Sequence, residues 1–299
     1  MAVKGEASMR KAMSMVICTA LVLCITVTPA FASSENDEIV VESKSEYEYI
    51  TELQGCSEEE LSELGYSNEE IAELYAFSFE EALCERAQLP EAQLRGLGYD
   101  DDEIIFLKQN ADDPELLAQA AAALGATCTG RITLVSGCPA YIKFRYAWEW
   151  DHCPLMLLED RAAVGFVGVR EGSFKAVQGS QSASTCMLTQ VTTTAQNITT
   201  TKTITCEDFE VRSYGATCVY TAGMKAAGYV VWISDGYMEV MVNRISTNYS
   251  LDALYVVGKV AHKTVQFTLT PSVTFGGETW VAVDFSVGLS YVYDEVAYI

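Results

Sequence analysis

At Cys128 the spacing of apolar residues changes, and one kind of secondary structure cannot serve both sides of that point. Before it, apolar residues recur every three or four positions, the period of a helix face; after it they alternate, the period of a half-buried strand. Ile142, Phe144, Tyr146, Trp148 and Trp150 share one face of an extended segment, with Tyr141, Lys143, Arg145, Ala147 and Glu149 on the other. Val281, Val283, Phe285, Val287, Leu289 and Tyr291 alternate in the same way. Short β-branched or aromatic runs at 229–233, 239–244, 254–260 and 264–269 lie between them, with turns expected at Asp235-Gly236 and Gly276-Gly277. About ten strands in roughly 170 residues predict two packed sheets. The fold class expected is α+β: an acidic N-terminal helical region followed by an antiparallel β-sandwich.

The helical side contains a duplication. "ELGYSNEEI" at 63–71 returns as "GLGYDDDEI" at 96–104. In each copy a glycine, Gly65 or Gly98, stands where a helix ends in the left-handed conformation, and Tyr66 or Tyr99 follows as the apolar residue beyond it. Ser67 or Asp100 then caps the next helix, with Glu70 or Glu103 three residues on, the capping-box spacing. Each copy therefore predicts a helix-turn-helix hairpin too short to be stable alone, and the two are expected to pack together. The L-x-x-L-G-Y pattern is similar to the hairpins of ubiquitin-associated domains, although an exported chain has no ubiquitin to bind. A further helix is expected at 114–124, with Asp113 as cap, Pro114 at the first position and Gly125 as stop.

Export is read from the first residues. Lys4, Arg10 and Lys11 form a basic segment, 12–27 is apolar, and Ala30-Phe31-Ala32 supplies a cleavage signal. The expected divisions are a signal peptide at 1–32, an acidic flexible leader at 33–56, the helical region at 57–127 and the β-domain at 128–299. Charge divides the chain at the same place. Residues 33–127 hold 25 acids and 4 bases, whereas 128–299 hold 15 acids and 12 bases. That excess of acid argues against nucleic acid and anionic lipid as partners, because both attract Lys and Arg.

Eight cysteines remain after the signal: Cys56, Cys84, Cys128, Cys138, Cys153, Cys186, Cys206 and Cys218. An even set in an exported chain suggests disulfides, while the CxxC or HxxxH spacing of a metal site is missing, so no metal is expected. Residues 189–205, with nine threonines in 17 positions, suit a hairpin whose loop centres on Gln196. That centre places Cys186 opposite Cys206 and predicts a bridge between them, although the pair falls at a hydrogen-bonded site where side chains stand farther apart. A Thr-rich hairpin could also line a β-pore, but Val191, Ile198 and Ile204 are too sparse for a lipid-facing side.

The chain carries no nucleophile elbow, P-loop, dinucleotide fingerprint or HExxH, and nothing calls for a cofactor. The densest group of chemical side chains is "YAWEWDHCP" at 146–154. Glu149, Asp151 and Asp160 can be read as carboxylates of a glycosidase-like hydrolase. Trp148, Trp150 and His152 are the candidate binding residues: the indoles as an aromatic platform or as core, and His152 beside Cys153 as a nucleophile pair, against the bridge more usual for an exported cysteine. His262 is expected to be structural.

"YAWEWDHCP", Asp160, "AAVGF" and "VAHKTVQFTLTPSVTFGGETWVAVDFS" together resemble secreted β-domain proteins of Gram-positive bacteria, including closticin-like large bacteriocins. The resemblance implies a secreted β-domain and a bacteriocin-like effector; it assigns no active-site residue. The reading expected from the sequence is a secreted, non-enzymatic interaction protein whose β-domain is active on a protein, glycan or cell-surface partner. The alternatives are a secreted hydrolase and a membrane-inserting β-hairpin toxin. N-terminal sequencing of exported material should begin at Ser33; a retained apolar segment would overturn the cleavage site.

Overall fold

Side chains that answer backbone amides start most of the helices; the one at Glu91–Gly96 follows Pro90 without such a cap. The computed structural model describes residues 39–63, 66–138, 140–157, 159–170, 173–177, 180–194, 198–212, 215–226, 229–243, 253–262, 274–275, 278–279 and 297–298. Strand β1 (Ile39–Ser45) leads into helices α1 (Glu46–Gln54), α2 (Glu58–Glu63), α3 (Asn68–Ala76) and α4 (Phe79–Gln88). Helices α5 (Glu91–Gly96), α6 (Asp101–Gln109) and α7 (Pro114–Leu124) complete the helical region. At α3 the Ser67 amide donates to Glu70 Oε2 at 2.7 Å while the Glu70 amide donates back to Ser67 Oγ at 3.3 Å. Asp100 and Glu103 repeat this reciprocal cap on α6, both bonds at 2.8 Å. Such caps typically contribute about 0.5–2 kcal/mol each.

Each copy buries the apolar residues that its spacing marks, but the two hairpins do not pack on each other as expected: the first rests on α1, and the second on α4 and the strand at Ser180–Thr194. Leu61, Tyr66, Ile71 and Leu74 of the first copy and Leu94, Leu97, Tyr99, Ile104 and Leu107 of the second are buried. Gly98 adopts φ +98°, the left-handed conformation expected of it; Leu64 and Gly65 lie outside the described residues. Asp113 caps α7 with Pro114 in its first turn.

The 33–56 leader needs correction, because its residues 39–54 form β1 and α1. Ser45 and Glu48 make a further capping box, and Tyr49, Ile50 and Leu53 are buried. Its acids hid the pattern: Glu46, Glu48 and Glu52 surround the apolar positions that give α1 a core-facing side.

The β-region comprises β2 (Thr127–Cys138), β3 (Tyr141–Trp150), β4 (Glu159–Arg170), β5 (Ser173–Val177), β6 (Ser180–Thr194) and β7 (Thr199–Thr205). It continues with β8 (Asp208–Arg212), β9 (Gly215–Thr221), β10 (Gly223–Ala226), β11 (Tyr229–Asn243) and β12 (Ala253–His262). Three short strands follow: β13 (Thr274–Phe275), β14 (Glu278–Thr279) and β15 (Ala297–Tyr298). One sheet runs β1-β2-β3-β11-β6-β7, with β10 also on β11; the other runs β15-β12-β4-β9-β8, with β5 on β4. The pairings in both sheets are antiparallel, so the α+β class holds. The strands expected at 264–269 and 281–291 and the turn expected at Gly276-Gly277 lie outside the described residues.

Alternation on β3 survives intact: Ile142, Phe144, Tyr146, Trp148 and Trp150 are all buried. Phe144 meets Phe166 of the second sheet edge-on at 5.8 Å, and Trp148 stacks on Tyr220 of β9 at 5.9 Å. Trp148 Nε1 donates to the Tyr220 hydroxyl at 2.8 Å, which satisfies an indole N–H in the interior. The turn expected at Asp235-Gly236 is not formed, because β11 runs through it with a register shift between Ile233 and Asp235. A Cβ on Gly236 would lie 2.4 Å from Trp148 Cζ2, so this glycine makes room for the neighbouring indole rather than for a chain reversal.

Helices and sheets share one buried core, extending from Tyr49 and Leu53 through Leu97 and Tyr99 to Trp148 and Val260. Backbone bonds cross the seam: Cys153 N–H donates to Leu97 O at 2.7 Å, and Glu46 N–H to Ala126 O at 2.8 Å. Strand β1 pairs with β2 from Ile39↔Ile132 to Ser45↔Thr127, so the first sheet includes residues from the acidic half. A division in which 128–299 folds by itself leaves these bonds and apolar faces open. Expressed alone, 128–299 should aggregate or melt without a cooperative transition; a cooperative transition at the full chain's temperature would restore the division.

Candidate functional site

The segment "DHCPLM" at 151–156 joins β3 to β4, and groups from the helical region hold it from several sides. Glu46, at the first turn of α1, is fully buried. Its carboxylate accepts from the Leu155 amide at 2.9 Å and the Met156 amide at 2.7 Å. Arg86 of α4 donates to the carbonyls of Cys153 at 3.2 Å and Pro154 at 2.8 Å. Gly98 approaches so closely that a Cβ there would lie 2.3 Å from Asp151 O. The repeat's second glycine thus serves both the left-handed turn and the docking of helices on the sheet. Sequence reasoning missed Glu46 and Arg86; each is one charge among many, and only burial distinguishes them.

His152 sits inside this seam, with its side chain 8% exposed. Its Nε2 lies 3.0 Å from Glu103 Oε2, Nδ1 lies 3.0 Å from Asp151 Oδ1, and the ring packs on Tyr99 at 4.7 Å. Asp151 Oδ1 also accepts from the Thr127 and His152 amides, both at 2.6 Å. Burial opposes charge on the imidazole, but the neighbouring carboxylates of Asp151 and Glu103 outweigh it and raise its pKa to about 9. Burial also pushes the Cys153 thiol up to about 11, against the opposing pull of Arg86. A thiol held protonated by burial is not the thiolate that a nucleophile pair requires.

The other chemical readings of this stretch change with the structure. Trp148, Trp150 and His152 are 1%, 2% and 6% exposed, so they build the interior and the seam instead of an open platform. Glu149 stands on the outer face, 3.8 Å from Arg131, and Asp151 is committed to backbone amides. Asp160, by contrast, is fully buried in β4. Alternation along β3 separates Glu149 from the buried face, and this trio does not share an open cleft.

The threonine hairpin has the expected register. Met187 faces Thr205 and Thr193 faces Thr199, so the connection centres on 196, whose loop lies outside the described residues. Cys206 N–H donates to Cys186 O at 3.1 Å, which confirms the hydrogen-bonded site. The expected Cys186–Cys206 bridge is not formed at bonding distance. Cys56, Cys84, Cys128, Cys153, Cys186, Cys206 and Cys218 are all thiols in the structure; Cys138 closes β2. Cys56 Sγ instead faces Glu52 O at 3.5 Å.

A third cysteine joins the expected pair. Cys218 comes from β9 of the other sheet, and the Sγ atoms of Cys186, Cys206 and Cys218 lie within 4.8 Å of one another. Hydrogen bonds from Cys186 and Cys218 hold the Cys206 thiol down, whereas burial pushes Cys218 up. Spacing along the chain gave no metal motif because Cys186 lies on β6, Cys218 on β9 and Cys206 in the connection between β7 and β8.

At the edge of the first sheet, β7 exposes Thr199, Thr200, Thr201, Lys202, Thr203 and Thr205. Ile198 at its start is 57% exposed.

No family model matches the chain, and no curated protein does. Among solved structures, it shows weak similarity to the KRT10-binding region domain of the pneumococcal serine-rich repeat protein PsrP. That match has 11% identity and a TM-score of 0.21, covering 46% of this chain and 79% of that one. A structure of Fap1 from Streptococcus parasanguinis, described for pH-induced modulation of adhesion by its fimbriae, matches at 10% identity and TM-score 0.21, covering 54% and 74%. AvmM, which catalyses macrocyclization in alchivemycin A biosynthesis, matches at 8% identity and TM-score 0.20, covering 44% and 73%. At these scores the likeness does not decide a shared fold or function.

The His152 pair gives the seam a pH dependence. Its folded pKa lies above the ordinary value of 6.5, so its contribution is fully present below about pH 6.5 and lost as pH rises through about 9. The difference corresponds to about 3 kcal/mol. Melting temperature should fall between pH 6.5 and 9 in the parent, and His152→Gln should flatten that fall. An unchanged slope in the variant would show that His152 does not carry it.

Proposed function

We propose that the chain is an exported, non-enzymatic interaction protein whose β-region meets an extracellular partner through the open edge of β7. In this reading the two sheets are the layers of an antiparallel β-sandwich, and the acidic helices brace it. The observation that carries the proposal is β7 itself: it ends its sheet, and among the described residues no strand pairs along its outer side. The edge is polar, with Lys202 in the middle of a threonine run, which opposes indiscriminate strand pairing while leaving backbone groups available. A partner segment in extended conformation would add to it by main-chain hydrogen bonds, with threonine hydroxyls selecting polar side chains.

Burial of Asp160 away from Glu149 supports binding over the glycosidase-like reading. The likeness to closticin-like bacteriocins makes bacterial cells the first surface to test. The weak structural matches to pneumococcal and streptococcal surface proteins carry no weight in this choice.

Register supplies a clean test. Cys186 and Cys206 form a hydrogen-bonded pair, so alternation directs the N–H groups of Thr199, Thr201, Thr203 and Thr205 away from β6. Thr201→Pro and Thr203→Pro therefore remove an outward donor without breaking a ladder bond. Exported protein should bind intact cells, and each variant should bind at least about tenfold more weakly, the effect of one lost hydrogen bond of about 1.4 kcal/mol. Melting temperature should move little. Undiminished binding by both variants would overturn the edge as contact, and release of sugar or peptide fragments from the cells would favour a hydrolase.

A further inference from the structure

Cys206 occupies the crossing between the two sheets. It follows β7, the edge of the first sheet, and precedes β8 in the second. On one side stands Cys186 of β6, paired across the ladder with Met238 of β11. On the other stands Cys218 of β9, paired with Ala162 of β4 and Phe209 of β8. The three residues are 1%, 5% and 0% exposed, and their sulfurs lie within 4.8 Å of one another. They come from separate parts of the fold and converge in its interior.

From this geometry we infer a binding site for one soft, thiophilic cation, three-coordinate through the sulfurs of Cys186, Cys206 and Cys218. Three metal–sulfur bonds of about 2.3 Å in a plane set the sulfurs about 4 Å apart, within the observed spacing. The donor set is entirely sulfur, which selects soft cations over the hard ions that take oxygen. Three donors suit monovalent copper, whereas a structural zinc site ordinarily takes four. A disulfide is the competing use of these residues. It would take two of the three sulfurs and leave the third. A bound ion instead engages all three and fastens β6, β9 and the connection between the sheets. Metal and fold are then linked, because the unfolded chain offers no such arrangement. The site is independent of the β7 outer edge and would persist if that contact failed.

The full chain, expressed for export and reduced without oxygen, is titrated with Cu(I) against a colorimetric chelator. One equivalent should be retained, with a raised melting temperature. X-ray absorption of the loaded protein should show three sulfur scatterers at about 2.3 Å. Cys186→Ser, Cys206→Ser and Cys218→Ser should each weaken retention by at least about 100-fold, more than the loss typical of supporting residues. Cys56→Ser is the control and should bind as the parent does. Absorption on the parent decides the donor set even if Cys218→Ser does not fold. Failure to retain copper, fewer than three sulfurs, or retention unaffected in folded Cys186→Ser and Cys206→Ser would overturn the site. Peptide mapping of exported, unreduced protein that links any two of the three would do the same.

Discussion

The fully buried Glu46 carboxylate, bonded to the amides of Leu155 and Met156, supports the junction on which both halves close. A turn carried into the interior brings backbone donors and acceptors away from water, and each needs a partner there. Glu46 meets two donors, while Arg86 meets the carbonyls of Cys153 and Pro154. Both come from the helical region and both targets belong to the β-region. Replacing such a pair one member at a time leaves a buried charge or buried amides unanswered, which makes the junction intolerant of partial change.

Apolar packing extends the same dependence. Trp148 reaches from the first sheet to Tyr220 of the second and lies over the space left by Gly236. On the helical side, Trp232 Nε1 donates to Gly96 O at 3.1 Å, where the second repeat meets β11. Trp148, which could have served in an exposed platform, instead joins the two sheets, and Trp232 joins the helices to the first. Their large surfaces are more effective at removing water from the seam than smaller side chains would be.

This construction separates the buried junction from the edge proposed for contact. The crowded junction at 151–156 is filled and neutralised by internal partners, whereas β7 presents polar backbone and threonines at a sheet edge. The acidic helices have their own outward face for charge, with Glu58, Glu59 and Glu69 exposed, while Glu46 turns inward. The region that reads as an acidic appendage is therefore structural at its base and solvating at its surface.

The sequence by itself determined features that depend on near neighbours. The capping boxes at Ser67 and Asp100, the positive φ at Gly98, the alternation of β3 and the 196-centred register of the threonine hairpin all follow from spacing and local sterics. Tertiary structure decided what depends on distant partners. It made Gly236 a space for Trp148 rather than a turn, and turned the acidic leader into β1 and α1. It chose Glu46 from many acids for burial, and added Cys218 to a pair of cysteines from another sheet. A lone glutamate or cysteine carries no local sign of such a role, because burial and convergence belong to chain segments that meet only when the core closes.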